Sequence, residues 1–304
     1  ITQQKLTRMF KQILSKINDA SSPENKAFFD QIFQKLEVRY PNREDPWGLN
    51  LRRARKSLER VWPLYKHYFQ VRCFGLENIS DQPFIVVANH SGQIAIDGML
   101  ICSMFSTEVE PPRILRPMVE RFFTGIPFIG SWAAEGGAVL GDRQNCINLL
   151  ERKESVLVFP EGVRGIAKDS SDFYEMKSFG RGFFRIALAT GVPILPIAVV
   201  GAEEFYPLVW HPLKLAKKIG LPAFPITPNL VPLPSPVDIH VGKPFIIPSE
   251  LSADAPDSEL DIHINAIHAS IQKMLDEGLT QRREFIANKV SEKFSTRLNK
   301  KDDV

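Results

Sequence analysis

Residues 84–97 read Phe84-Ile85-Val86-Val87-Ala88-Asn89-His90-Ser91-Gly92-Gln93-Ile94-Ala95-Ile96-Asp97. Five apolar residues run without a break and stop at Asn89-His90. A short apolar run of this kind marks a strand buried on both faces. Ser91-Gly92 then interrupts it, and Asp97 follows seven positions after the histidine. The stretch predicts a buried strand that delivers His90 to the rim of a sheet, with a carboxylate on the next element. Histidine beside a supporting carboxylate is a general-base arrangement.

Strand-like and helix-like runs alternate on either side. Strands are expected at 71–74, 84–88, 113–116, 137–140, 155–159, 193–200 and 237–242. Helices are expected at 94–105, 143–153, 178–190 and 259–278, the last extending to about 298. This alternation predicts an α/β fold, a mixed β-sheet flanked by helices. Upstream the period is helical: Leu6, Met9, Phe10, Ile13, Leu14 and Ile17, then Phe28, Phe29, Ile32, Phe33 and Leu36. Ser21-Ser22-Pro23-Glu24 divides the two helices with a start signal. A long basic helix over about 49–69 tolerates Pro63 or kinks there. The chain thus divides into an N-terminal helical region, 1–70, and an α/β domain, 71–298. A proline-rich apolar insert between Trp210 and Pro236 is suited to cover a channel, pack on the core or dip into lipid.

The 304 residues are 44% hydrophobic and 24% charged, which is ordinary for a globular chain. Cys73, Cys102 and Cys146 are far apart and lack CxxC or His-rich company. They imply no disulfide framework and no metal site, and they point to a reducing compartment. No secretory signal opens the sequence, and no window reaches the roughly 20 apolar residues of a spanning helix. The expected location is cytoplasmic, on the surface of a membrane rather than across it.

The net charge of +3 is uneven: residues 51–72 carry seven Lys or Arg against Glu59 alone. Trp62, Tyr65, Tyr68 and Phe69 interleave with them. This is either a solvated helix face with a core-facing aromatic stripe or an interfacial helix for anionic lipid. No nucleic-acid motif accompanies the charge, so a nucleic-acid partner is not expected.

Four blocks carry the chemistry. They are Asn89-His90-Ser91-Gly92 with Asp97; Gly136-Gly137-Ala138-Val139-Leu140-Gly141-Asp142-Arg143; Val158-Phe159-Pro160-Glu161-Gly162-Val163-Arg164-Gly165; and Val192-Pro193-Ile194-Leu195-Pro196-Ile197-Ala198. Singly each has a bland reading: a structural histidine, a surface arginine, a turn, a buried strand. In this order they resemble the glycerolipid acyltransferase superfamily over roughly residues 70–250. Asp45-Pro46-Trp47-Gly48, the 201–207 segment and Phe224-Pro225-Ile226-Thr227-Pro228 look like a bacterial subgroup related to the mono- and diacylglycerol acyltransferases. One departure stands out. The family's spacing would put the carboxylate at position 95, where this chain has Ala95; Asp97 lies two residues later.

The resemblance implies a glycerol-3-phosphate acyltransferase-like fold and a direct transfer. His90 would deprotonate the acceptor hydroxyl as it attacks a thioester, and Asp97 would hold the imidazole. No covalent intermediate is required, and there is no Gly-x-Ser-x-Gly elbow. Backbone N–H groups near Ser91, Gly92 and Gln93 would meet the oxyanion. Arg143, Glu161, Gly162 and Arg164 would bind the acceptor, with Lys177 and Arg181 as further phosphate ligands. The implied partners are an acyl-CoA or acyl carrier protein donor, a glycerolipid acceptor and an anionic membrane surface; no cofactor or metal is implied. The alternatives are a non-catalytic lipid-binding relative, motivated by the displaced carboxylate, and an acyl-thioester hydrolase.

Overall fold

The computed structural model describes residues 22–41, 45–91, 95–121, 129–166, 168–207, 209, 226–229, 231–252 and 254–299. In chain order these form α1 (Pro23–Arg39), α2 (Leu51–Pro63), β1 (Arg72–Phe74), β2 (Ile85–Ala88), α3 (Ile96–Thr107), β3 (Arg116–Val119), α4 (Ile129–Glu135), β4 (Val139–Leu140), α5 (Arg143–Glu151), β5 (Val156–Val158), α6 (Val163–Ile166), α7 (Gly182–Thr190), β6 (Ile194–Val200), β7 (Asp238–Val241) and α8 (Asp257–Asn299). The expected helix over residues 6–17 and most of the proline-rich insert lie outside the described residues.

The strands form one mixed sheet in the order β1-β7-β6-β2-β5-β3-β4. Every pairing is parallel except β6 with β7. Successive side chains of a strand point to opposite faces, and both faces here are covered. Val86, Ala88, Leu195, Ile197 and Val199 join α1, α2 and α3 in one apolar cluster. Ile85, Val87, Ile194, Ala198 and Val200 join α5, α7 and α8 in another. That double burial is why the strands read as unbroken apolar runs rather than alternating ones. Each fully buried aliphatic side chain contributes about 1.5–3 kcal/mol, so a one-residue slip of β2 or β6 is strongly disfavoured.

The helix boundaries follow local chemistry. The Ser22 side chain accepts the Asn25 N–H to start α1, with Pro23 in its first turn. Asn50 caps α2 in the same way through Arg53 N–H. Pro63 ends the regular ladder, and Leu64–Tyr68 continues as a π-turn in which Phe69 N–H reaches the Leu64 carbonyl. The aromatic stripe turns inward: Trp62 stacks on Tyr65 at 5.6 Å, and Tyr65 and Phe69 are buried. Arg52, Arg53, Lys56 and Arg60 face outward. The described part of the expected N-terminal region therefore shares a core with the sheet, through Phe29, Phe33 and Leu36 as well.

Two expectations shift. Strand β3 runs 116–119 rather than 113–116, because Arg113 is drawn inward to donate to the Ser80 and Gln82 carbonyls before pairing begins. Helices α4 and α6 were not foreseen. Their short, glycine-containing sequences carry no helical period, and α4 is tied to α2 by Trp132 donating to Ser57 Oγ and by an Arg53–Glu135 ion pair.

Candidate active site

Strands β2, β5, β3, β4 and β6 are parallel, so the residues that follow them emerge on one edge of the sheet. That carboxyl edge is where open α/β sheets place their ligand sites. It gathers His90 after β2, Pro160-Glu161 after β5, Glu203 after β6 and Arg143 after β4. The segments after β2, β5 and β6, separated by up to 113 positions, become neighbours through topology, while Arg143 lies farther along the same edge.

Asn89 shows why β2 stops where it does. Its side chain extends the ladder one step: Oδ1 accepts the Val199 N–H at 2.8 Å and Nδ2 donates to the Val199 carbonyl at 3.1 Å. Released from pairing, His90 turns outward. Its Nδ1 lies 2.7 Å from Asp97 Oδ2. Asp97 sits in the first turn of α3 with no exposed surface. Its Oδ2 also accepts the Ser91 N–H at 2.8 Å, and its Oδ1 accepts the Gly98 N–H at 2.7 Å. A carboxylate facing Nδ1 makes that nitrogen the donor and leaves Nε2 with the lone pair. The Phe159 ring lies flat against the imidazole, centroids 4.0 Å apart and planes 15° off parallel. The histidine side chain keeps 12% of its surface exposed, enough for one edge to be reached. The longer His-to-Asp spacing is thus compatible with direct contact.

The third block packs behind this pair. Glu161 Oε1 accepts the His90 N–H at 2.9 Å, and Oε2 accepts the Lys177 N–H at 2.7 Å. Gly165 passes so close that a Cβ there would lie 2.9 Å from both the His90 and Glu161 Cβ atoms. Only glycine admits that approach. Gly162 makes the preceding turn with φ of +59°.

Several expected substrate ligands are placed otherwise. Glu161 is buried and engaged through both oxygens, so it braces the His90 segment rather than lining a pocket. The Ser91 amide is already given to Asp97, which removes it from the expected oxyanion donors. Gly92 and Gln93 lie outside the described residues. Arg164 donates to the Ser178 hydroxyl and carbonyl. Lys177 pairs with Asp172 at 2.7 Å. Arg181 forks onto Asp261 of α8 through two 2.7 Å bonds. Arg143 stands exposed in the first turn of α5, three strand spacings or about 14 Å along the edge from β2.

Sequence reasoning passed over Phe159 as a ring clamp and missed Lys168 altogether. Phe159 was legible only as part of a block. Lys168 follows a turn in a polar stretch, which reads as surface. In the structure it is buried beside Glu161 and Glu203. Burial raises the Glu203 carboxyl to about 7, against the opposing pull of Lys168.

A His–Asp pair at the carboxyl edge of an α/β sheet has the geometry to take a proton from a hydroxyl or a water. Residues 70–200 match the family model described as Acyltransferase. The chain is 36% identical to an uncharacterized protein of Mycobacterium tuberculosis over 230 residues, 72% of this chain and 64% of that protein. It is 30% identical to the chloroplastic 1-acyl-sn-glycerol-3-phosphate acyltransferase BAT2 of Brassica napus over 159 residues, 48% of this chain and 41% of that one. The crystal structure of the 1-acyl-sn-glycerophosphate acyltransferase PlsC from Thermotoga maritima superposes with a TM-score of 0.45 at 21% identity, covering 73% of this chain and 82% of that one. The chain therefore spans about two thirds or less of the length of these curated relatives. Over residues 70–200 the chain is similar to the Acyltransferase family, and over about half of its length to a named glycerolipid acyltransferase.

Proposed function

We propose that this protein transfers a fatty acyl group from a thioester, acyl-CoA or acyl carrier protein, to a glycerolipid hydroxyl, with His90 as general base. The observation that carries the reading is the 2.7 Å contact between His90 Nδ1 and a buried Asp97, on a ring clamped by Phe159. Nε2 takes the hydroxyl proton as that oxygen attacks the thioester carbonyl carbon. Asp97 favours the imidazolium that forms. Collapse of the tetrahedral intermediate breaks the C–S bond, and the imidazolium returns its proton to the departing thiolate. General-base catalysis of this kind is worth about 10²–10⁴-fold.

The names of the plant relatives favour lysophosphatidic acid as acceptor. One observation favours a second acceptor, a neutral mono- or diacylglycerol. Arg164, Lys177 and Arg181, three of the four cations expected to bind an acceptor head group, are turned to partners within the protein, while Arg143 stands exposed. A peripheral site on an anionic membrane fits the outward Arg52, Arg53, Lys56 and Arg60 beside Trp132, which is 43% exposed. No helix among the described residues is long and apolar enough to cross a membrane.

The test is thiol release from long-chain acyl-CoA by wild type and by His90→Ala, with no acceptor, with lysophosphatidic acid and with diacylglycerol. Release that requires one acceptor and His90 is expected and selects the acceptor. Release without acceptor would turn the reading into a thioesterase. Release that survives His90→Ala would overturn the mechanism.

A further inference from the structure

Lys168 is 2% exposed, an uncommon setting for a lysine. Its ammonium lies 3.2 Å from Glu161 Oε2, 3.4 Å from Glu203 Oε1 and 3.5 Å from the His90 carbonyl oxygen. Glu203 follows β6, and its second oxygen accepts the Tyr174 N–H. A cation without partners would not stay in such a place. Nor does this cluster offer its charge to a substrate, since Glu161, Glu203 and Lys168 are each buried.

What the cluster grips is residue 90. Glu161 takes the N–H of His90, and Lys168 takes its C=O. The next N–H along, that of Ser91, is held by Asp97. Both peptide units flanking the imidazole are therefore fixed from beneath, by an ion pair that closes on itself through Lys168 and Glu161. The ring is fixed separately, by Asp97 and Phe159. Aim at a reacting oxygen needs both, because a swing of the main chain carries the ring with it.

We propose that Lys168, seated between Glu161 and Glu203, is a positioning residue that fixes the main chain of His90 and so the aim of Nε2. The kinetic part of this assignment rests on the acyl-transfer reading; the geometric part does not. Lys168→Met alone leaves two buried carboxylates facing each other. The companion variant Lys168→Met/Glu203→Gln removes one charge of each sign and decides the matter if the single variant does not fold. The first readout is the low-field Nδ1 proton resonance of the His90–Asp97 bond, assigned by its disappearance in His90→Ala. It is expected to shift or broaden in the folded variants. The second is steady-state thiol release with long-chain acyl-CoA and the acceptor that supports turnover. There kcat is expected to fall by about 10²-fold with KM within about threefold, the pattern of a displaced catalytic group rather than lost binding. A folded double variant with an unchanged Nδ1 resonance and wild-type kcat would overturn the proposal. If wild type shows no His90-dependent release, the functional reading falls, and the resonance alone still judges the positioning role.

Discussion

The two sides of the carboxyl edge handle charge in opposite ways. After β2, β5 and β6, Asp97, Glu161, Lys168 and Glu203 are all buried and interlocked around one histidine. At the entry to α7, Arg181 and Lys177 form pairs with side chains 43% and 34% exposed. The inner set is held in a medium of low effective dielectric, where losing one partner strands another charge. The outer set is bathed in water and screened by salt, so each pair contributes little. The inner cluster thus specifies geometry, while in the outer one Arg181 ties the entry of α7 to α8 and Lys177 closes the loop before it onto Asp172.

Four substitutions break or sharpen that contrast, in descending size. His90→Ala is expected to lower kcat by about 10³-fold and, by taking one partner from the buried Asp97, to lower the thermal midpoint by a few degrees while the chain stays folded; calorimetry and thiol-release kinetics check both. Asp97→Asn should lower kcat by about 10²-fold, because an amide group placed among three donors cannot keep Nδ1–H as the bonded tautomer. It should also cost about 1–3 kcal/mol of stability in denaturant unfolding, by setting a donor against a donor. A near-wild-type rate would mean the 2.7 Å contact is not what activates the ring.

Glu203→Gln addresses the inner cluster through pH. Burial, with the nearby Glu161 charge, raises the Glu203 carboxyl from its ordinary 4.5 to about 7, while Lys168 and the Tyr174 N–H pull the other way. A raised value means the folded state holds the proton more tightly. That contribution to stability is whole below about pH 4.5 and is lost as pH rises through about 7. The variant should flatten the thermal midpoint against pH within that window, and an unchanged slope would show that Glu203 does not titrate there. Arg181→Ala is the smallest: kcat/KM within about threefold and a midpoint within about 3 °C. A larger drop in affinity for acyl-CoA would restore Arg181 as a phosphate ligand in spite of its Asp261 fork.

Much of this was legible in the chain. The seven strands were placed to within a few residues because doubly covered strands are unbroken apolar runs, and the helices because their apolar spacing is regular. Helices α4 and α6 were not, since short segments rich in small residues have no period and form where neighbours hold them. His90 and Asp97 were legible as chemistry next to a strand end. Glu161 was legible as a motif residue but not in its direction, because a sequence gives no sign of whether a carboxylate faces water or the back of its neighbour.

By itself, then, the order of residues determined the α/β class, the resemblance to the acyltransferases and the histidine at the strand's end. Those depend on patterns that repeat locally along the chain. The pairing of His90 with an aspartate seven positions on, the inward turn of Glu161 and the burial of Lys168 between two glutamates were decided only by the tertiary structure. They arise where segments after β2, β5 and β6 converge on one edge, and the charge balance there is a property of the assembled groups, set by distances of about 3 Å that no single segment encodes.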